Sequence, residues 1–529
     1  MIDYIKLIQR RHPGYQELKT LSDFYESTYN GGRSWFSKNI YKYIKEGEEC
    51  YNQRLNRAYR FNHTKEIVDS VTKYIFKGKI SRSDDAPEYI KNFWNKTTFQ
   101  GRNIEGLAQS MDRKSSIFGR VYVVVDSTSD GEIINVEDET DKNFRTYAYV
   151  VQPQDVLDFS YDEFGELNWI LFYEPYRDDA DPFASSNDFI NQYKLWTKTN
   201  WHQIRIKAPN QNMTELTTLP SNAIEVTTGE HKLGVVPVVP VDCVQSDSEI
   251  GATSMISEIS FLDRAIANYL SNLDVIIQDQ TFSQLIVPEQ SVPQGDDGYS
   301  KVVEMGTQSI FTYDGQGGMK PEYISPDPKQ AQVLLAVINK IIHEIYNTVG
   351  MSSERTKQDN AVGIDNSSGV AKAYDFEKIN TLLACKANNL ENAENKICTL
   401  VAKWNGKELP NEQMVIYPDN FDVKDLYDEF EIASQLSLLD SPFDVRREQM
   451  KIVIEKLFPQ IKESLRNKMI ENLKDWPVMP VITTESLSMP EGKNAKGSIS
   501  YSDSQGKANQ QIAASASGKR QGQVTQDTK

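Results

Sequence analysis

An α+β fold is predicted from two observations on the 529-residue sequence. Between residues 251 and 404 lie three long helical segments, the first two with apolar side chains on one helix face and the third longer and less apolar. Residues 118–245 instead carry short β-branched and aromatic runs bounded by turn residues, the mark of strands and hairpins. The length allows about three domains of ordinary size and a sizeable core.

Taken in order, residues 1–117 read as mainly helical. Within 62–78, Ile67, Val71, Tyr74 and Ile75 share one face, and Gly78 supplies the stop. Tyr89, Ile90, Phe93 and Trp94, then Ile104, Leu107 and Met111, continue the helical pattern. At Phe118 the period changes to that of a strand, 118–126, followed by strands at 147–151 and 156–161. The turn at 162–165 returns the chain as 167–173, and 192–197 with 201–207 makes a second hairpin. The β-rich region, 118–250, closes on the proline-broken apolar run 231–242, expected at an edge because proline cannot donate to a ladder.

The segment 251–281 should hold a helix from 253, with Met255, Ile259, Leu262, Ile266, Tyr269, Leu270, Leu273, Ile276 and Ile277 on one face. Its length would be roughly 43 Å at ~1.5 Å per residue. A Gly- and Pro-punctuated insert with strand-like pieces occupies 282–327. A second helix is expected over 328–350, with Asp327 as N-cap, Pro328 in the first position and Gly350 as the stop. Its apolar face is Leu334, Val337, Ile338, Ile341, Ile342 and Ile345. A polar loop follows at 351–366, then a long helix to about 404 and a short strand near 414–417, completing 367–423. Helices are expected at about 424–440 and 442–474, within 424–487. Residues 488–529 are too rich in Ser, Gly, Gln and Lys to offset their ordering entropy and are expected to be disordered.

The net charge of −17 argues against a protein that coats nucleic acid, though not against one through which nucleic acid passes. The cysteines Cys50, Cys243, Cys385 and Cys398 are scattered, and the histidines lack ligand spacing, so reduced thiols and neither metal nor cofactor are expected. No apolar run of 18 residues and no basic amphipathic helix occurs, so no membrane partner is expected. The polar first 15 residues do not read as a signal peptide. Phosphate-loop, nucleophile-elbow and HExxH motifs are missing. Acidic clusters at 46–50, 83–85, 137–141, 178–181 and 425–431 lack the spacing of a calcium loop and read as solvated surface. They leave a metal-dependent nuclease or hydrolase as the weaker alternative. The polar side of the 328–350 helix is more informative. Lys329, Lys340, His343 and Asn347, with Ala336 among them, project within about 40° of one direction at ~100° per residue.

Taken together, YIFKG at 74–78, FGRVYVVV at 118–125, VQPQDV at 151–156 with DEFGE at 162–166, HKLGVVPV at 231–238, and the helix–insert–helix–loop–helix order resemble bacteriophage portal proteins. These are rings at one capsid vertex through which DNA is packaged and ejected. The resemblance covers residues 60–475 or so. It implies a portal-like fold with long stem helices, a β-rich wing and clip, and a helical crown. Residues 1–250 and 367–423 would be wing, 251–281 and 328–350 stem, 282–327 clip, and 424–487 crown. Gln290, Lys301, Tyr313 and Lys320 would serve docking at the clip. The tunnel loop, 351–366, would meet DNA through Ser352, Ser353, Glu354, Arg355, Lys357, Gln358, Asp359 and Asn360, and the Lys329, Lys340, His343, Asn347 face would line the channel. Few of the loop residues are bulky, so a tight grip on DNA is not expected of it.

The resemblance further implies a homo-oligomer, generally a dodecamer, with sequence-independent passage of double-stranded DNA. Its implied partners are the terminase large subunit, major capsid and scaffolding proteins, and head–tail adaptor or tail proteins. It would reside at the virion portal vertex and, during assembly, in the host cytoplasm. It would have no enzymatic activity and no cofactor, ATP hydrolysis belonging to a separate motor. The other virion reading is a different head–tail ring or adaptor protein.

Overall fold

The computed structural model describes residues 3–78, 80–128, 144–177, 183, 190–206, 224–281, 284–288, 311–313, 320, 322–324, 328–351, 369–410, 413–419, 421, 443–457 and 463–473. The chain is mixed α+β. Its first part is helical: α1 (Tyr4–Gln9), α2 (Tyr15–Asn30), α3 (Arg33–Asn39), α4 (Glu48–Arg57), α5 (His63–Ile75), the short β1 (Ser81–Arg82), α6 (Glu88–Asn95) and α7 (Ile104–Phe118). The side chains of Asn62 and Asn103 accept the Lys65 and Gly106 amides at 3.0 and 3.1 Å, and so start α5 and α7. Helix α7 stops at Gly119, whose φ is 86°. A Cβ there would lie 1.9 Å from the carbonyl oxygen of Ala252, so only glycine lets the two backbones pass.

A three-stranded antiparallel sheet follows, in the order β3 (Thr146–Val151), β2 (Arg120–Ser127), β9 (Val238–Asp242). Strand β2 is buried along its whole length. Val121, Val123 and Val125 face the main core with the helices, whereas Tyr122 and Val124 face a second core. Burial on both sides explains its continuous apolar run. The proline-broken strand β9 lies at the sheet edge. Its edge is blunted, because Pro240 has no N–H and Asn389 donates to the Asp242 carbonyl at 3.2 Å. A five-stranded antiparallel meander packs on that second core: β4 (Val156–Tyr161), β5 (Leu167–Tyr173), β6 (Asn191–Thr197), β7 (Asn200–Ile206) and β8 (Ile224–Glu230). The β4–β5 turn is closed by Asp162, which accepts the amides of Phe164 and Glu166, both at 2.9 Å.

The first long helix, α8 (Ile259–Thr281), begins six residues after the expected 253. Ser254 donates to the Ile117 carbonyl at 2.6 Å and the Met255 amide to Ser116 at 3.1 Å. These bonds hold the segment against the end of α7, and helical geometry starts only beyond them. A small sheet follows, with β10 (Gln284–Pro288) between the parallel β11 (Phe311–Tyr313) and the antiparallel β12 (Glu322–Ile324). Of the strand-like pieces of the 282–327 insert, the one at 302–305 lies outside the described residues. Next come α9 (Pro328–Thr348), which packs on α8, and α10 (Gly369–Trp404), about 54 Å long at ~1.5 Å per residue. Strand β13 (Val415–Ile416) pairs antiparallel with β1.

Helix α10 runs through the main core, burying Ile379, Leu383, Ala387, Leu390, Ile397 and Val401. The segment expected as one helix over 442–474 is two, α11 (Phe443–Leu457) and α12 (Glu463–Asn472). Pro459, which a helix interior does not tolerate, stands between them in the sequence. The helix expected at 424–440 and the tail from 488 lie outside the described residues.

Candidate functional site

Pro328, its φ preset for a helix, opens α9. Asp327, the expected N-cap, lies outside the described residues. The other end is closed by a double backbone bond. The Met351 amide donates to Tyr346 O at 2.8 Å and the Gly350 amide to Asn347 O at 3.1 Å, with Gly350 at φ 75°. This is a Schellman termination, and its left-handed residue is glycine. Ile338, Ile345 and Val349 are buried on one side of the helix. At ~100° per residue, the stripe of Lys329, Ala336, Lys340, His343 and Asn347 points nearly the opposite way. All five residues of this stripe are exposed. The stripe spans about 27 Å of helix at ~1.5 Å per residue.

The expected apolar face is wider than its partner. Ile338 and Ile345 are buried and Leu334, Ile341 and Ile342 half-buried, but Val337 is exposed, as are Val333 and Leu335 beside it.

A polar anchor, not foreseen from sequence, holds both long helices to α5. The Tyr346 hydroxyl donates to Glu66 at 2.6 Å, and His63 Nδ1 lies 3.1 Å from the same oxygen. On α8, buried Asp263 accepts from the Thr64 hydroxyl at 2.8 Å and pairs with Arg60 at 3.3 Å. Burial raises the Asp263 carboxyl above the ordinary range, against the pull of Arg60. The Arg60 guanidinium in turn stacks 4.0 Å over the Trp35 ring. The hydrogen bonds that tie α8 and α9 to α5 join residues 199 and 280 positions apart in the chain, so no local pattern announces them.

Of the other predicted residues, Lys320 is exposed just before β12, and Tyr313 ends β11. Gln290 and Lys301 lie outside the described residues, as do Ser352, Ser353, Glu354, Arg355, Lys357, Gln358, Asp359 and Asn360. Among the described residues no group of three or more His, Cys, Asp or Glu side chains is placed to hold a metal ion. No helix among them is long and apolar enough to cross a membrane. A cleft of about 300 Å³ between β9, the β4–β5 turn and α10 is lined mainly by apolar residues, among them Leu167, Val236, Val238 and Pro240, with Glu166, Lys396 and Thr399 as its polar members.

No curated protein matches the chain. Among solved structures, it is similar to a chain from a structure described as the neck of an empty GTA particle computed with C6 symmetry. That similarity stands at 9% identity over 77% of this chain and 89% of that one, with a TM-score of 0.34. The family described as phage portal protein, SPP1 Gp6-like, matches residues 6–434. That match runs from α1 through the β-rich region, both long helices and α10, and the chain belongs to this phage portal protein family.

Proposed function

We propose that this chain assembles into a closed homo-oligomeric ring at one capsid vertex, a conduit for double-stranded DNA during packaging and ejection. Dodecameric rings are the form expected from the family resemblance. The observation that carries the reading is the helix α9: apolar on the side that packs, polar and basic on the opposite side, in a chain of this family. We assign α8 and α9 to the stem, with Lys329, Lys340, His343 and Asn347 lining the channel. Two lysines per copy on that stripe meet phosphates in any sequence, while the net charge of −17 keeps DNA from adhering. Residues 282–327 form the clip, where Gln290, Lys301, Tyr313 and Lys320 dock the terminase large subunit and later the head–tail adaptor. Residues 351–366 form the tunnel loop, and 424–487 the crown facing capsid and scaffolding proteins. The chain acts structurally, and ATP hydrolysis belongs to the motor.

Negative-stain microscopy of the purified chain tests the reading. Rings with an axial hole are expected, and a stable monomer with metal-dependent turnover overturns it.

A further inference from the structure

The exposed apolar residues of α9 are arranged in a way that packing within one copy does not use. Val333, Leu335 and Val337 are 62%, 46% and 37% exposed. At ~100° per residue, Leu335 points about 180° away from the midpoint between Val333 and Val337. It also lies at the same height, about 3 Å of rise from each. The buried Ile338–Ile345–Val349 side and the Lys329–Lys340 stripe occupy the two remaining sides of the helix. The helix therefore carries a knob on one flank and a two-residue hole on the other.

A second observation concerns charge. Residues 330–339 contain no charged side chain, although Lys329 and Lys340 bracket them. An uncharged belt about 15 Å tall at ~1.5 Å per residue therefore runs round the helix at the level of the knob. Absence of charge at the centre is the compositional mark of a protein–protein contact.

We infer that the occupant of each flank is α9 of a neighbouring copy of this chain, with Leu335 of one copy seated between Val333 and Val337 of the next. Rotation about a ring axis moves each copy round without shifting it along the axis. A knob and a hole at equal height on opposite flanks then meet at every interface, and the contact closes on itself. Packing of identical flanks, Leu335 on Leu335, would instead stop at a dimer. The inference rests on the ring reading above and names the contact that closes the ring.

Cysteine cross-linking tests it in a full-length chain carrying Cys50→Ser and Cys385→Ser. Leu335→Cys combined with Val337→Cys is expected to give, on mild oxidation, a ladder of covalent multimers, and either change alone none. Dimers from Leu335→Cys alone overturn the heterologous arrangement. Rings visible by microscopy without a ladder overturn the contact while leaving the ring reading intact. A chain that forms no rings in any background removes both. Leu335→Asp provides a second test, because the residue is already half-exposed in one copy and the subunit should keep its fold. Its ring assembly should weaken about tenfold or more, from burial of a leucine lost at every interface. Rings at unchanged concentration dependence in that variant also overturn the contact.

Discussion

At the scale of single residues, Asp155 gives the clearest pH signature. It follows β3 in a short turn packed on α2, and burial raises its carboxyl from 3.8 to about 6, opposed by Lys19 and reinforced by Glu26. The folded chain thus holds a proton there that the unfolded chain releases near 4. Stability therefore falls as pH rises from about 4 through about 6, and the full penalty is present at neutral pH. Asp155→Asn should raise stability at pH 7.5 by about 1–2 kcal/mol after discount for partial exposure, with the gap closing at pH 4. Paired melts at the two pH values check this, and equal gaps at both refute the assignment. The thiols offer a second signature. Cys50 is exposed, whereas burial pushes Cys398 up to about 12 and Cys243 upward as well. Alkylation of the native chain should label Cys50 first and reach Cys243 and Cys398 only on unfolding, as peptide mass spectrometry would record.

At the scale of elements, α10 is held by charges inside the core. Lys386 Nζ pairs with Asp112 on α7 at 2.9 Å and donates to Ser116 at 2.7 Å, while Thr72 on α5 donates to Asp112 at 2.6 Å. Burial alone would depress the lysine, but Asp112 outweighs it and holds the ammonium charged. Lys386→Met leaves the Asp112 carboxylate buried without its cation and should destabilise by about 3–5 kcal/mol. Lys386→Met with Asp112→Leu should lose much less, and denaturant unfolding of both variants distinguishes pair from packing. This cluster also marks how far the sequence could be read. The 3.6 period places α5, α7, α8 and α9, and the β-branched runs place β2, β4 and β5, because those signals lie within a few residues of one another. The late start of α8 and the charges inside α10 were not legible, since both depend on groups 137 and 270 positions away. The exposure of the polar stripe on α9 was legible from its spacing. Its apolar flanks were not, because only the observed width of the α8 contact shows which apolar residues stay uncovered.

At the scale of the whole molecule, the proposed ring makes charge and symmetry the properties to test. Reversing the α9 stripe with Lys329→Glu and Lys340→Glu should, under the proposed channel role, leave rings unchanged by microscopy and impair DNA packaging, because both residues are exposed. Loss of rings in that double variant would move the stripe from the channel to an interface. Deleting residues 290–316 should likewise spare the ring and abolish binding to the terminase large subunit, checked by pull-down. Failure of ring assembly there would redraw the border between stem and clip.

The end of α9 has a consequence for dosage. Gly350 takes a left-handed backbone that alanine adopts only with strain, at a cost of about 1 kcal/mol. In the proposed ring, that modest local change would occur simultaneously at every copy, at the point where the chain leaves α9 for the segment 351–366 that we assign to the tunnel loop. Rings co-assembled from wild-type and Gly350→Ala chains would grade the defect by the fraction of altered copies. Under the proposed tunnel-loop assignment, such mixtures turn a single backbone dihedral into a measure of how many copies must leave α9 correctly for DNA to pass.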